Sequence, residues 1–347
     1  ILTKWVPEPG KNDKDTVRAA IHESAGRLKT LLIDLLQYHA WNYADPSYLD
    51  DLFALQELQE EGLIKHLGLT NFDTAHLNIV IETGIKVVSN QVSFSLLDQR
   101  AAHGMTELCE QNGISILAFG TLAGGFLTEK WLDQPEPNDP STWSQMKYIR
   151  YIIEAGGWDK FQALLKALKQ TADQHDVSMA NVASRYILDQ PGVGGVIIGA
   201  RLGMSEHIEN NQALLGFTPC EYDWDDINEA INDLTPIPGD CGDEYRKPPF
   251  LTASGDLSHH VDKLPPPYPT KEGLDGRTQA LSGTVWEDIA GFSRAVRKGD
   301  RILVSGTTAT HGDKTIGGND PAAQTHFAID KIEGAIQSLG GKLEDVV

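Results

Sequence analysis

The feature that most constrains this chain is an alternation. From residue 1 to about 200, short apolar runs change places with amphipathic stretches of helical period. That pattern is produced by βα units feeding a parallel sheet. Strands are expected at 1–4, 32–39, 65–69, 86–91, 114–119 and 193–198. Helices are expected at 14–29, 47–61, 73–82, 100–111, as a pair within 158–190, and at 205–215. In the second of these, Ser47 is placed to cap the start, Leu49, Leu52, Phe53, Leu55 and Leu58 share one face, and Gly62 follows as a stop. Residues 120–157, with Gly124-Gly125 and no clear period, read as a long loop over a binding site.

Composition narrows the function. The 347 residues carry 49 Asp and Glu against 29 Lys and Arg, a formal net charge of −20, which repels phosphate backbones and anionic lipid. Nucleic acid and membrane are therefore not expected partners. With 40% hydrophobic and 22% charged residues the chain is globular, and its length suits two domains. It has no apolar run of the ~18 residues that a membrane helix needs, and no secretory layout at its start. Three cysteines, Cys109, Cys220 and Cys241, form no C-x-x-C pair, so a reducing cytoplasm and no metal site are expected. His259-His260 and Ser305 read as a solvated pair and a turn residue.

Beyond residue 235 the pattern changes. Residues 236–273 are rich in Pro, Gly, Asp and Lys and read as an extended linker, with a domain boundary near Gly273. Residues 291–307 read as two strands joined at Lys298-Gly299-Asp300, and 320–340 as one amphipathic helix with Ala328, Ile329, Ile332, Ala335, Ile336 and Leu339 on its buried side.

Polar residues recur where the expected strands end: Lys4, His39, Thr70-Asn71, Asn90-Gln91, Phe119-Gly120 and Gly199-Ala200-Arg201. In repeated βα barrels, strand C-termini carry the chemistry. Singly, each is an ordinary solvated or packing residue; their recurrence is the signal. Gly62-Leu63-Ile64-Lys65-His66-Leu67-Gly68-Leu69-Thr70-Asn71-Phe72 resembles the "G-x-I-x-x-[IL]-G-[VL]-S-N-F" signature of the aldo-keto reductases. Asn90-Gln91, Gly120-Thr121-Leu122-Ala123-Gly124-Gly125-Phe126-Leu127, Val196-Ile197-Ile198-Gly199-Ala200-Arg201 and Asn211 resemble its later segments in the same order.

The resemblance implies a (β/α)8 TIM barrel over residues 1–235, lacking its first strands, and NAD(P)H-dependent reduction of an aldehyde or ketone. Lys4 and His39 match two members of the catalytic tetrad. Thr70, Asn71, Gln91, Phe119, Gly120, Leu122, Gly124, Gly199, Arg201 and Asn211 match cofactor-binding positions, with NADP favoured and NAD open. Phe119 stands where the family stacks a Tyr on the nicotinamide. The tetrad's Asp and Tyr precede its Lys and match no residue here, so impaired turnover is expected. Both ends read as cut, and open sheet edges predict poor solubility.

Residues 274–347 resemble part of the α+β Rid family of enamine and imine deaminases, through Phe292-Ser293-Arg294-Ala295-Val296, the run from Gly299 to Thr307, Gln324 and Asp345-Val346-Val347. The resemblance implies homo-oligomerisation through this segment. Two other readings stay open: a non-catalytic, nucleotide-responsive or structural module, and deamination as the main activity.

Overall fold

The computed structural model describes residues 1–140, 142–200, 203, 206–251, 255 and 257–347. They form two compact units, Ile1–Gly68 with Ala75–Val87 and Val261–Val347, and Leu69–Thr74 with Val88–His260. Six strands appear in the expected order: β1 (Leu2–Trp5), β2 (Ile33–Tyr38), β3 (Ile64–Thr70), β4 (Ser89–Ser93), β5 (Ser115–Phe119) and β6 (Val193–Ile197). β1 pairs with β2 in the first unit, and the end of β3 with β4, β4 with β5 and β5 with β6 in the second, all parallel.

In the first unit, Asp13 caps the helix Lys14–Leu28 by accepting from the Thr16 N–H at 2.7 Å. The helix Ser47–Glu60 buries Leu49, Leu52, Leu55 and Leu58, each contributing about 2 kcal/mol of apolar transfer. Ser47 is not its cap. It is the first helical residue, and its N–H is accepted at 3.0 Å by Asp45, two residues upstream.

The C-terminal residues of this unit form an antiparallel sheet of β7 (Thr270–Glu272), β8 (Arg277–Ala280), β9 (Ala295–Lys298) and β10 (Arg301–Val304), in the order β10-β9-β8-β7. The expected hairpin is β9–β10. The helix Pro321–Ser338, capped by Asp320, closes a small core of Tyr268, Ala280, Ala295, Ala335 and Leu339. It also reaches the helix Thr74–Glu82 and the loop at Ala44. Asp330 reaches His76 at 3.2 Å, Asp320 accepts from Asn78 at 2.7 Å, and Gly334 abuts the Ala44 carbonyl.

In the second unit the structure departs from the sequence reading at several elements, among them the helices Asp225–Asp233 and Asp243–Arg246, which were not expected. The loop 120–157 contains a helix, Trp143–Glu154, capped by Thr142 and burying Tyr148, Tyr151 and Ile152. β4 begins three residues later than expected, because its ladder to β5 pairs Ser89 with Ser115 and Ser93 with Phe119. The expected helix 100–111 is a 3-10 turn, Arg100–Ala102, then a helix, Met105–Asn112, separated by Gly104 at φ 94. Breaking the helix there lets Arg100 turn inward, 3% exposed, onto Asp98 at 2.8 Å and Glu244 at 3.0 Å. Among the described residues no helix is long and apolar enough to cross a membrane.

Candidate active site

The residues singled out in the sequence divide between the units. Lys4 and His39 lie in the first. Lys4 sits opposite Gln37 in the β1–β2 ladder, and the His39 N–H continues that ladder to the Trp5 carbonyl at 3.2 Å. Both therefore stand at the C-terminal ends of adjacent parallel strands. Desolvation holds the Lys4 ammonium below the ordinary lysine value. His39 is buried, its ring edge-on to Trp41 at 4.4 Å, and Trp41 is anchored in turn by its indole N–H to the Pro7 carbonyl at 2.8 Å. Because side chains alternate along β2, Tyr38 points to the opposite face, where it donates to Asp51 at 2.8 Å.

In the second unit Thr70, Asn71 and Gln91 come together. The Gln91 carbonyl accepts from the Asn71 N–H at 2.8 Å and from the Thr70 hydroxyl at 3.1 Å, closing the β3–β4 ladder. Asn71 then leaves the strand at φ 59, a left-handed conformation that Asn tolerates better than most residues. Asn90 is fully buried and clamps Phe72 through both of its main-chain groups, at 2.9 and 3.4 Å, which fixes the turn that presents Asn71.

Two buried acceptors remain. Among the described residues the side-chain oxygens of Asn71 and Gln91 have no hydrogen-bond partner, although the two are 8% and 6% exposed. A buried amide oxygen without a donor costs about 1–3 kcal/mol, so such a pair is maintained against stability. Two acceptors at strand ends fit the N–H donors of a nicotinamide carboxamide.

Phe119 ends β5, between Ser93 of β4 and Ile197 of β6. Gly120 and Gly124 follow at φ 78 and 66. At Gly120 a Cβ would collide with the Tyr148 hydroxyl, and at Gly124 it would lie 2.8 Å from the same ring. The helix Trp143–Glu154 thus rests directly on this loop, where only glycine fits. Leu122 tightens the turn, its carbonyl accepting from the Gly125 and Leu127 N–H groups at 2.9 and 3.2 Å. Gly199 is exposed, Asn211 lies in the short helix Ile208–Ala213, and Arg201 is outside the described residues.

The sequence reading missed Lys147. Its ammonium lies 5.3 Å over the Phe119 ring and donates to the Tyr245 hydroxyl at 3.1 Å. Burial works against its charge, but the oxygens around it, Tyr245 first, outweigh that and keep its pKa above the ordinary value. The helical spacing of Tyr148, Tyr151 and Ile152 carried a signal for its helix; Tyr245 had none. Among the described residues no group of three or more His, Cys, Asp or Glu could hold a metal ion.

Comparison with known proteins decides the family, because the sequence pattern of the Aldo/keto reductase family matches residues 1–232. The chain belongs to the aldo/keto reductase family. It is 33% identical over 198 residues to "Uncharacterized oxidoreductase YqkF" of Bacillus subtilis, covering 56% of this chain and 58% of that protein. It is 28% identical over 240 residues to "Aflatoxin B1 aldehyde reductase member 2" of Rattus norvegicus, covering 64% of each. The glycerol dehydrogenase of Gluconobacter oxydans superposes with a TM-score of 0.54 at 22% identity, over 65% of this chain and 67% of that one. Together with the parallel strands, that likeness shows a TIM-barrel-like α/β fold for this reductase-family chain. The chain spans 58%, 33% and 59% of the length of three curated relatives it matches, about half on average.

Proposed function

We propose that the chain serves NAD(P)H-dependent reduction of an aldehyde or ketone. The observation that supports this reading best is the pair of orphaned acceptors, Asn71 Oδ1 and Gln91 Oε1, on strand ends. When bound, a dihydronicotinamide supplies hydride to the carbonyl carbon. The chain's own residues do the rest. Asn71 and Gln91 accept from the carboxamide and fix which ring face is presented, with the Thr70 hydroxyl set beside them. Phe119 offers its ring for stacking, and Gly120, Leu122 and Gly124 are read as the loop beside the dinucleotide, held in place by Tyr148. Gly199, Arg201 and Asn211 are read as holding its adenosine end, and Arg201, the one fixed cation of that turn, favours NADP.

His39 donates to the substrate carbonyl oxygen and orients it. Lys4 places a positive charge that favours the phenolate of the family's proton-donating Tyr. That Tyr and its Asp partner match none of these 347 residues, so the reading expects cofactor binding with little turnover from these residues alone. Names among the relatives agree with it, one being an oxidoreductase and one an aldehyde reductase. Residues 274–347 are read as Rid-like and as an oligomerisation element, on the β9–β10 hairpin and the helix that follows it.

Titration of the chain into NADPH, followed by nicotinamide fluorescence, tests the proposal. A saturable change that is weakened in Gln91→Met is expected. Absence of any saturable change overturns it.

A further inference from the structure

The second unit holds a cleft of about 420 Å³ between the turn that follows β4, the helix Met179–Leu188 and the end of the helix Asp225–Asp233. That volume lies in the range of small-molecule sites, about 300–1,000 Å³. None of the strand-end residues described above lines it. Its chemistry is unusual for this chain. Although 49 of the 347 residues are acidic, no Asp or Glu among the described residues lines the cleft. Arg100 does, but Asp98 and Glu244 hold its guanidinium at 2.8 and 3.0 Å, so it forms a rigid part of the wall whose positive charge is already engaged. His103 is the other basic residue on the lining, so among the described residues the cleft has no permanent charge free to select an ion.

What remains is directional. Asn228 accepts the Tyr186 hydroxyl on Oδ1 at 2.6 Å, which leaves its two N–H donors for another partner. Gln99 donates Nε2 to the Ser95 carbonyl at 2.6 Å, which leaves Oε1 as an acceptor. The bond to the Ser95 carbonyl, an acceptor only, settles the orientation of the Gln99 amide, and the Tyr186 hydroxyl ties down that of Asn228. Leu97, Ile231 and Ile237 supply apolar wall. One donor, one acceptor and an apolar wall complement a carboxamide or urea carried on an apolar body.

We propose that this cleft binds an uncharged amide-bearing small molecule, with Asn228 donating to its carbonyl, Gln99 accepting from its N–H and Ile231 covering its apolar part. Because Arg100 and both amides are already fixed, little ordering is spent on binding. The proposal is independent of the cofactor reading, since the two share no residue.

The test uses the full chain with acetanilide as neutral probe and benzylammonium as a charged probe of similar size, read by saturation-transfer NMR and calorimetry. Acetanilide is expected to bind and benzylammonium not to. Ile231→Trp fills the cleft and should weaken acetanilide about tenfold or more. Asn232→Asp, at an exposed lining position, should reverse the preference by adding a carboxylate, and it stands as the test if the tryptophan variant does not fold. NADPH titration should be unchanged in both. The proposal is overturned if wild type does not bind acetanilide, if benzylammonium binds it as well, or if a folded variant leaves both probes unaffected.

Discussion

The Asn71 N–H and the Gln91 carbonyl are joined at 2.8 Å, yet the side-chain oxygens of the same two residues have no partner among the described residues. The backbone is satisfied where the strands meet and the side-chain oxygens are not, and the proposed carboxamide contact rests on that difference.

Gln91→Met follows from that relationship. Methionine keeps the length of the side chain and removes the orphaned acceptor, so the free protein should gain about 1 kcal/mol. NADPH should bind about tenfold more weakly for the loss of one hydrogen bond. Urea unfolding and fluorescence titration on the same preparation check both signs; a variant that is no more stable and binds NADPH unchanged sinks the role given to Gln91.

Arg100 is flanked by two carboxylates, Asp98 and Glu244, whose side chains are fully buried. Truncating it leaves two uncompensated buried charges, so Arg100→Met should cost about 3–5 kcal/mol. Adding Asp98→Asn and Glu244→Gln to that background should restore most of the loss. Denaturant midpoints of the single and triple variants measure it, and a triple variant no better than the single one refutes the charge account.

The strands were legible because their apolar runs are spaced by helical stretches, and the ends of β3 and β5 fell within a residue of the expected positions. β4 was placed less well, since all of Ser89–Ser93 is buried despite its polar sequence, Ser-Asn-Gln-Val-Ser. Hydropathy marks a strand by contrast, and a buried polar strand offers none. Thr70, Asn71 and Gln91 could be named from their motif. Arg100 and Lys147 could not, because their partners, Glu244 and Tyr245, lie about a hundred residues or more further on and are brought in by the fold alone. The helix Trp143–Glu154 was obscured by the glycines and prolines before it, although its own aromatic spacing was regular.

Stability should depend on pH through Asp51. Burial raises its carboxyl to about 7 from 3.8; hydrogen bonds from Tyr38 and Asn12 oppose the shift, and Asp50 and Asp45 add to it. The folded form therefore keeps a proton that the unfolded chain gives up. The stabilisation is complete below the unfolded value, near pH 4, and is lost as pH rises to about 7, on the order of 3–4 kcal/mol. Asp51→Asn stays neutral and should flatten this slope. Urea titrations at several pH values between 4 and 8 compare the two, and parallel curves count against the assignment.

Gly334 separates two effects that usually agree. It lies inside the helix Pro321–Ser338, where alanine is intrinsically favoured by about 1 kcal/mol. A Cβ at this position, however, would collide with the Ala44 carbonyl and approach the Tyr268 ring at 3.2 Å. Backbone cannot move aside as a flexible side chain can, so the helix would have to lift from its seat. Gly334→Ala is expected to lower stability by about 1–3 kcal/mol instead of raising it. Thermal unfolding shows the sign directly, and hydrogen exchange should speed up at both 321–338 and the residues around Ala44. A stabilised variant means that the helix does not pack against Ala44 as closely as described.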